Sequence, residues 1–214
     1  MNPKFGGLDL AQRVDNSALV VLELQDGVLN QVGQKVWEHI DYEKIFQSLT
    51  KINEIEKFNK ISYDRTGVGD AVAKLISPPM RKICRPVVLT IKKKFELITL
   101  VKGLFNEKKL IIHDRDLFRE VTEQEVVTSD AGNLLYRHPQ GFHDDRFWAL
   151  ALACDAGSYA VRGITRVAGV RATAGRDFQR SFQRKMNGEA GQYQGLQVWA
   201  PMDPYLGTQR REFK

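Results

Sequence analysis

Short apolar runs separated by turn residues punctuate this chain. Residues 8–11 and 18–24 (Ala-Leu-Val-Val-Leu-Glu-Leu) read as strands, joined by the turn-forming Asp15-Asn16-Ser17. Gln25-Asp26-Gly27 signals a hairpin, with residues 28–37 as the third strand. Asp41 then offers an N-cap, and Ile45, Leu49, Ile52, Ile55 and Phe58 recur at helical spacing. A short strand over 60–64 is followed by a short helix over 70–76, which Pro78-Pro79 stops. Residues 86–91 read as another strand, and Phe95, Leu97, Ile98, Val101, Leu104 and Phe105 mark a helix. Past residues 110–112 the periodicity loosens. Residues 125–128 and 133–136 look like two arms around Asp130-Ala131-Gly132, and 147–153 is a strongly apolar helix. Three antiparallel strands followed by βαβ crossovers predict an α/β domain whose mixed sheet carries helices on both faces.

Acidic residues sit at the edges of these elements. Asp9 lies in Gly7-Leu8-Asp9-Leu10, where a strand-centre carboxylate works against the sheet and is costly to bury alone. Asp64 ends its strand in Ser62-Tyr63-Asp64-Arg65, the kind of position where α/β sheets place their sites. His143-Asp144-Asp145 stands directly before the apolar helix. One aspartate there is an ordinary N-cap, but two consecutive ones exceed capping needs, and spacing alone does not decide which faces inward. Carboxylates converging from three rigid edges repel one another unless a cation sits among them. Hard divalent ions such as Mg²⁺ or Mn²⁺ take oxygen ligands of this kind, and a carboxylate-held pair of them suits phosphodiester cleavage.

Charge divides the chain. Residues 1–156 hold 22 basic and 22 acidic side chains, whereas 157–214 hold 10 basic against 4 acidic, so the net charge of +6 comes from the second stretch. We therefore expect a compact domain over 1–156 and a basic, Gly/Arg/Gln-rich extension over 157–214. Such an extension favours a polyanion such as DNA or an acidic partner surface, the alternative being a solvated, solubilising tail; Arg162, Arg166, Arg171, Arg176, Arg180 and Arg184 are the candidate contacts. Cys84 and Cys154 form no CxxC motif, which suggests neither a zinc site nor a disulfide framework. No apolar run approaches 18 residues and no signal peptide is visible, so a soluble, cytoplasmic protein is expected.

Four pieces together resemble the C-terminal nuclease domain of large terminase subunits, the phage DNA-packaging motors of the ribonuclease H-like superfamily. They are Gly7-Leu8-Asp9-Leu10-Ala11 with Asp15 following, Asp64-Arg65-Thr66-Gly67-Val68-Gly69-Asp70, Lys94-Phe95-Glu96-Leu97-Ile98, and Gly141-Phe142-His143-Asp144-Asp145 leading into the Ala/Leu helix. The resemblance spans residues 5–155. It implies a ribonuclease H-like sheet and a two-metal endodeoxyribonuclease using Mg²⁺ or Mn²⁺. Asp9, Asp64 and Asp145 would bind the metals, with the adjacent Asp144 as a further candidate ligand. Lys94 matches a basic position near the cleavage site, and His143 would assist the leaving group or cap the helix. The implied substrate is double-stranded DNA in the host cell cytoplasm, with a portal protein and a separate terminase ATPase as partners. Such subunits begin with an ATPase motor, yet no G-x-x-x-x-G-K-[ST] occurs here and no nucleotide cofactor is expected, which points to an excised domain or a split gene. Gly67-Val68-Gly69 mimics a dinucleotide loop, but Val72 fills its third glycine position. The enzyme alternatives are a junction resolvase or an RNA–DNA hybrid nuclease; the non-enzyme alternative is an idle portal- or DNA-docking domain.

Overall fold

The stretch from Ser17 to Leu22 is buried throughout, which makes it the middle of a sheet covered on both faces. The computed structural model describes residues 1–10, 16–66, 71–128, 134–137 and 143–161. It opens with β1 (Lys4–Asp9), β2 (Ser17–Gln25), β3 (Val28–Trp37), α1 (Tyr42–Glu56), β4 (Lys60–Asp64), the short α2 (Ala71–Leu75) and α3 (Pro78–Arg81), and β5 (Cys84–Val87). There follow α4 (Ile91–Asn106), β6 (Leu110–Ile111), α5 (Arg115–Thr122), β7 (Glu125–Thr128), β8 (Leu134–Arg137) and α6 (Asp145–Gly157). Six strands form a mixed sheet in the order β5-β4-β1-β2-β3-β6, and β7 and β8 pair as a separate ribbon. β1 runs antiparallel to β2 and parallel to β4, and β4 runs parallel to β5. The C-terminal ends of β1, β4 and β5 therefore share one edge. Among the described residues no helix is long and apolar enough to cross a membrane.

Strand alternation sorts the core into two layers. Leu8, Leu19, Val21 and Ile61 pack with Ile45, Leu49 and Ile52 of α1. On the other face, Phe5, Val20 and Leu22 pack with Leu97, Val101 and Leu104 of α4, Leu117 of α5 and most of α6. Val161, the last described residue, lies in this second layer.

Several boundaries depart from the sequence expectation for identifiable reasons. β1 begins at Lys4, earlier than the expected residues 8–11, because Gly6-Gly7 is part of the strand. β5 is Cys84–Val87 instead of 86–91, since Thr90 caps α4 by accepting from Lys93 N at 3.1 Å. Pro78 and Pro79 do stop the preceding helix, and they also open α3, where a missing N–H costs nothing. Helix α5 had no sequence counterpart. It is nucleated by Asp114, whose Oδ1 accepts from Asp116 N and Leu117 N at 2.9 Å each. The Asp26-Gly27 turn fits the expectation, with φ of 52° and 82°, the left-handed pair that a two-residue hairpin requires.

One close approach organises the second layer. A Cβ on Gly7 would stand 1.9 Å from Ala149 O and 2.2 Å from Ala153 N, so the α6 backbone lies directly on β1. One on Gly157 would meet Phe5 Cδ2 at 3.0 Å. Helix positions 149, 153 and 157 thus track strand positions 7 and 5 in reverse order. Four helix residues rise about 6 Å and two strand residues about 6.6 Å, so the two elements stay in step.

Gly7→Ala should consequently destabilise the protein by about 1–3 kcal/mol or more, because a backbone carbonyl cannot swing aside. Gly6→Ala should cost less, since its nearest obstacle is the Ile61 side chain at 3.1 Å. Urea melts of both variants check the order; equal stability would contradict the backbone-to-backbone packing.

Candidate active site

Continuing the β1–α6 register one step places Asp145 over Asp9. Phe5, Gly7 and Asp9 share the face that α6 covers, and Asp145 precedes Ala149 by one helical turn. Asp64 arrives from the neighbouring strand. The parallel ladder pairs Leu8 with Tyr63, so Asp9 and Asp64 are the next residues along two adjacent strands. Asp64 is buried, and its Oδ1 accepts from Thr66 N at 2.7 Å and Thr66 Oγ1 at 2.6 Å. The same hydroxyl accepts from Leu89 N at 2.7 Å, which ties the strand end to the loop before α4.

The charges respond to this convergence. Asp9 keeps part of its surface accessible, yet burial is the largest influence on it and pushes its carboxyl well above the usual range. The negative charges of Asp64, Asp145 and Asp144 push it the same way, and Lys94 pulls it back. Burial likewise raises the Asp64 carboxyl, against the Thr66 hydrogen bonds and Lys94. Asp9, Asp64, Asp144, Asp145 and Lys94 therefore share one electrostatic neighbourhood. Lys94 Nζ lies 4.5 Å from the Trp148 ring centroid, and Trp148 Nε1 donates to Asp144 Oδ2 at 2.8 Å. Among the described residues no three His, Cys, Asp or Glu side chains form a ready-made metal-holding group. The donors are gathered by the fold without being closed on one point.

The two aspartates before α6 divide their roles. Asp144 occupies the N-cap position but its side chain makes no capping bond; Asp145 is the first helical residue. His143 is exposed and lines a cleft of about 320 Å³ with Asp145, Glu120, Arg146 and Asn16. Asp15, residues 67–70 and the arginines at 162, 166, 171, 176, 180 and 184 lie outside the described residues.

Two acids, one beside the site and one at the far end of α6, are not apparent in the sequence. Glu120 on α5 accepts from Phe147 N at 3.0 Å and Arg146 Nη1 at 3.2 Å. Burial raises its carboxyl to about 7, opposed by Arg146 and the Phe147 N–H and assisted by Asp145. Leu117 and Val121 at helical spacing behind Asp114 hint at α5 but are too few to mark it or Glu120. Asp155, in the last turn of α6, is buried and accepts from Ser62 Oγ at 3.2 Å, Lys93 Nζ at 3.0 Å and Arg85 Nη2. Its signal was an acid interrupting the apolar run Leu150–Ala156.

Known structures share this architecture. The large terminase nuclease of thermophilic phage G20c, solved with bound magnesium, has a TM-score of 0.64 and 22% identity, covering 72% of this chain and 81% of that one. That nuclease is also known with bound cobalt and bound zinc. The large terminase nuclease domain of Thermus phage P74-26 has a TM-score of 0.59 and 19% identity, covering 71% of this chain and 78% of that one. The HK97 bacteriophage large terminase has a TM-score of 0.58 and 16% identity, with 73% of this chain and 40% of that one covered. At these identities the likeness is one of fold, a ribonuclease H-like mixed sheet with helices on both faces. No curated protein sequence matches the chain. The family model of the terminase RNase H-like domain matches residues 6–156, and the chain belongs to that family.

Proposed function

We propose that this chain cuts double-stranded DNA as the nuclease of a viral genome-packaging terminase, using two divalent cations held by Asp9, Asp64 and Asp145. The observation that carries the reading is Asp9, whose carboxyl is opposed by three further acids with Lys94 as the counteracting cation. The donor set fits Mg²⁺ or Mn²⁺, being carboxylate oxygen throughout. The terminase nuclease of phage G20c, similar in fold, binds magnesium. When bound, such cations lower the pKa of a water molecule and neutralise charge developing on phosphate oxygens.

The chain's own residues supply position and field. Asp9 lies beside Asp64 on the next strand and feels the charge of Asp145 on α6, so it would be the central carboxylate of the donor set. Lys94, steadied over Trp148, can meet a phosphate oxygen. Asp144 is the weaker ligand candidate, since its Oδ2 already accepts from the indole. Backbone phosphates dominate affinity in such binding, so cutting should tolerate sequence variation. A portal protein and a terminase ATPase are the proposed partners, in the host cell cytoplasm.

Asp9→Asn, Asp64→Asn and Asp145→Asn should each abolish Mg²⁺- or Mn²⁺-dependent plasmid nicking. Even outer-shell partners of a metal are worth about 10–100-fold, so losing a ligand should exceed that. Ca²⁺, with looser and longer coordination, should not support cutting. Robust cutting in EDTA would sink the metal mechanism.

The same carboxylates should cost stability in metal-free protein. A carboxyl with a raised folded pKa stabilises fully below its ordinary pKa and loses that contribution as pH climbs through the raised value. Melting temperature in EDTA should therefore fall as pH rises out of the carboxylate range. Asp9→Asn should flatten this slope and melt higher at neutral pH, by roughly 2–4 °C for each kcal/mol of repulsion relieved. A lower melting temperature for Asp9→Asn would mean that Asp9 is a structural acid.

We also propose that the arginines beyond Val161 grip DNA, because residues 1–156 are charge-balanced. Deleting 162–214 spares the buried Val161. It should weaken duplex binding and flatten the plot of log affinity against log salt by roughly 0.9 for each phosphate that is no longer neutralised. Unchanged affinity and slope would transfer that segment to a protein partner.

A further inference from the structure

The first turn of α6 presents an N–H that its own capping residue does not satisfy. The initial N–H groups of a helix have no intrahelical acceptor, and the N-cap side chain ordinarily takes the one at the third position. Here the cap is Asp144, the first helix bond runs from Trp148 N to Asp144 O at 3.0 Å, and the third-position N–H belongs to Phe147. The Asp144 carboxylate makes no capping bond and accepts from Trp148 Nε1 instead. The Phe147 N–H goes to Glu120 Oε2 at 3.0 Å, and Glu120 Oε1 takes Arg146 Nη1 at 3.2 Å. Both donors flank Asp145 on its C-terminal side.

Glu120 is itself well anchored. Leu117 and Val121 bury α5 in the second core layer, and Asp114 caps its start. Gln31 of β3 then accepts from His113 N and Asp114 N at 3.0 Å each. A chain of interactions thus runs from the sheet through Gln31, α5 and Glu120 to the turn that holds Asp145.

We propose that Glu120 is a positioning residue of the cutting site: it clamps the first turn of α6 from outside the helix and so fixes Asp145 over Asp9, which leaves Asp144 to orient Trp148 beneath Lys94. This rests on the metal-dependent reading above. It adds a residue that would touch neither substrate nor metal, and whose loss should displace Asp145 without removing any donor.

Three readouts on the full chain test it. In metal-free protein, amide exchange at Phe147 should accelerate at least tenfold in Glu120→Ala and stay near wild type in Glu120→Gln, whose amide oxygen can still accept. Mn²⁺ affinity by calorimetry should fall about 10–100-fold in Glu120→Ala, the range for an outer-shell partner. It should change no more than about threefold in Glu120→Gln. Nicking should then need correspondingly more Mn²⁺. Val121→Ala, which thins the same helix but leaves the Glu120 bonds in place, should lower stability and leave Mn²⁺ affinity unchanged at temperatures where the protein is folded. Unaltered Phe147 exchange or Mn²⁺ affinity in Glu120→Ala overturns the proposal, as does an equal loss of Mn²⁺ affinity in Val121→Ala. A wild type that neither binds Mn²⁺ nor cuts with it overturns the functional reading itself, and the positioning role with it.

Discussion

Everything at the sheet's acidic edge depends on α6 resting backbone-to-backbone on β1 at Gly7. No side chain separates the two elements there, and Ala149, Ala153 and Gly157 continue the close packing toward Phe5. The matched rises of helix and strand carry that packing in both directions. Toward the C-terminal end of β1 it delivers Asp145 to Asp9. A leucine at position 7 would lift the helix by a side-chain thickness and separate the two carboxylates. The same close approach that builds the core therefore also sets the distance between acids from distant parts of the sequence.

Two fates of an acid are visible along this one helix. At its last turn Asp155 meets Arg85, Lys93 and Ser62, and it binds α6 to β4, β5 and α4. At its first turn Asp145 joins Asp9, Asp64 and Asp144, with Lys94 as the cation acting on both Asp9 and Asp64. Buried charges are tolerable when paired and hydrogen-bonded, and costly otherwise. The Asp155 end contributes to holding the fold, whereas the Asp145 end works against it.

Much of the scaffold was legible because local chemistry and tertiary packing agree. β3 and β4 fall where alternation and turn residues put them, and the Asp26-Gly27 turn adopts the backbone its residues favour. The three acids proposed to hold metal could be singled out for a related reason. Asp9 sits where a carboxylate works against the strand, Asp64 closes a strand at the edge where such sheets place their sites, and the Asp144-Asp145 pair exceeds what a helix cap needs. Features that depend on a partner far along the chain were not readable. Nothing near Gly7 in sequence reveals its packing role, because what it meets is the backbone of residues 149 and 153. α5 offers only Leu117 and Val121 as buried positions within eight residues, too few for periodicity to stand out. Glu120 was invisible because its partner is a main-chain N–H, 27 positions away, to which side-chain identity gives no clue.

The imbalance between the two ends of α6 separates function from structure more sharply than the presence of acids does. An acid retained for stability is expected to look like Asp155, surrounded by donors and cations. A group that pushes its own carboxyls toward the neutral form lowers the stability of the folded chain unless a cation binds that state in preference to the unfolded one. Such a ligand stabilises by mass action, about 2.7 kcal/mol at a hundred times its dissociation constant. A cation taken up at the Asp9 edge would thus offset the repulsion that the β1–α6 packing creates. Since Glu120 and Gly7 hold the turn bearing Asp145 in place, the acids cannot relieve that repulsion by drifting apart. That rigidity raises the cost of the metal-free state, and it leaves the donors in position when the ion arrives.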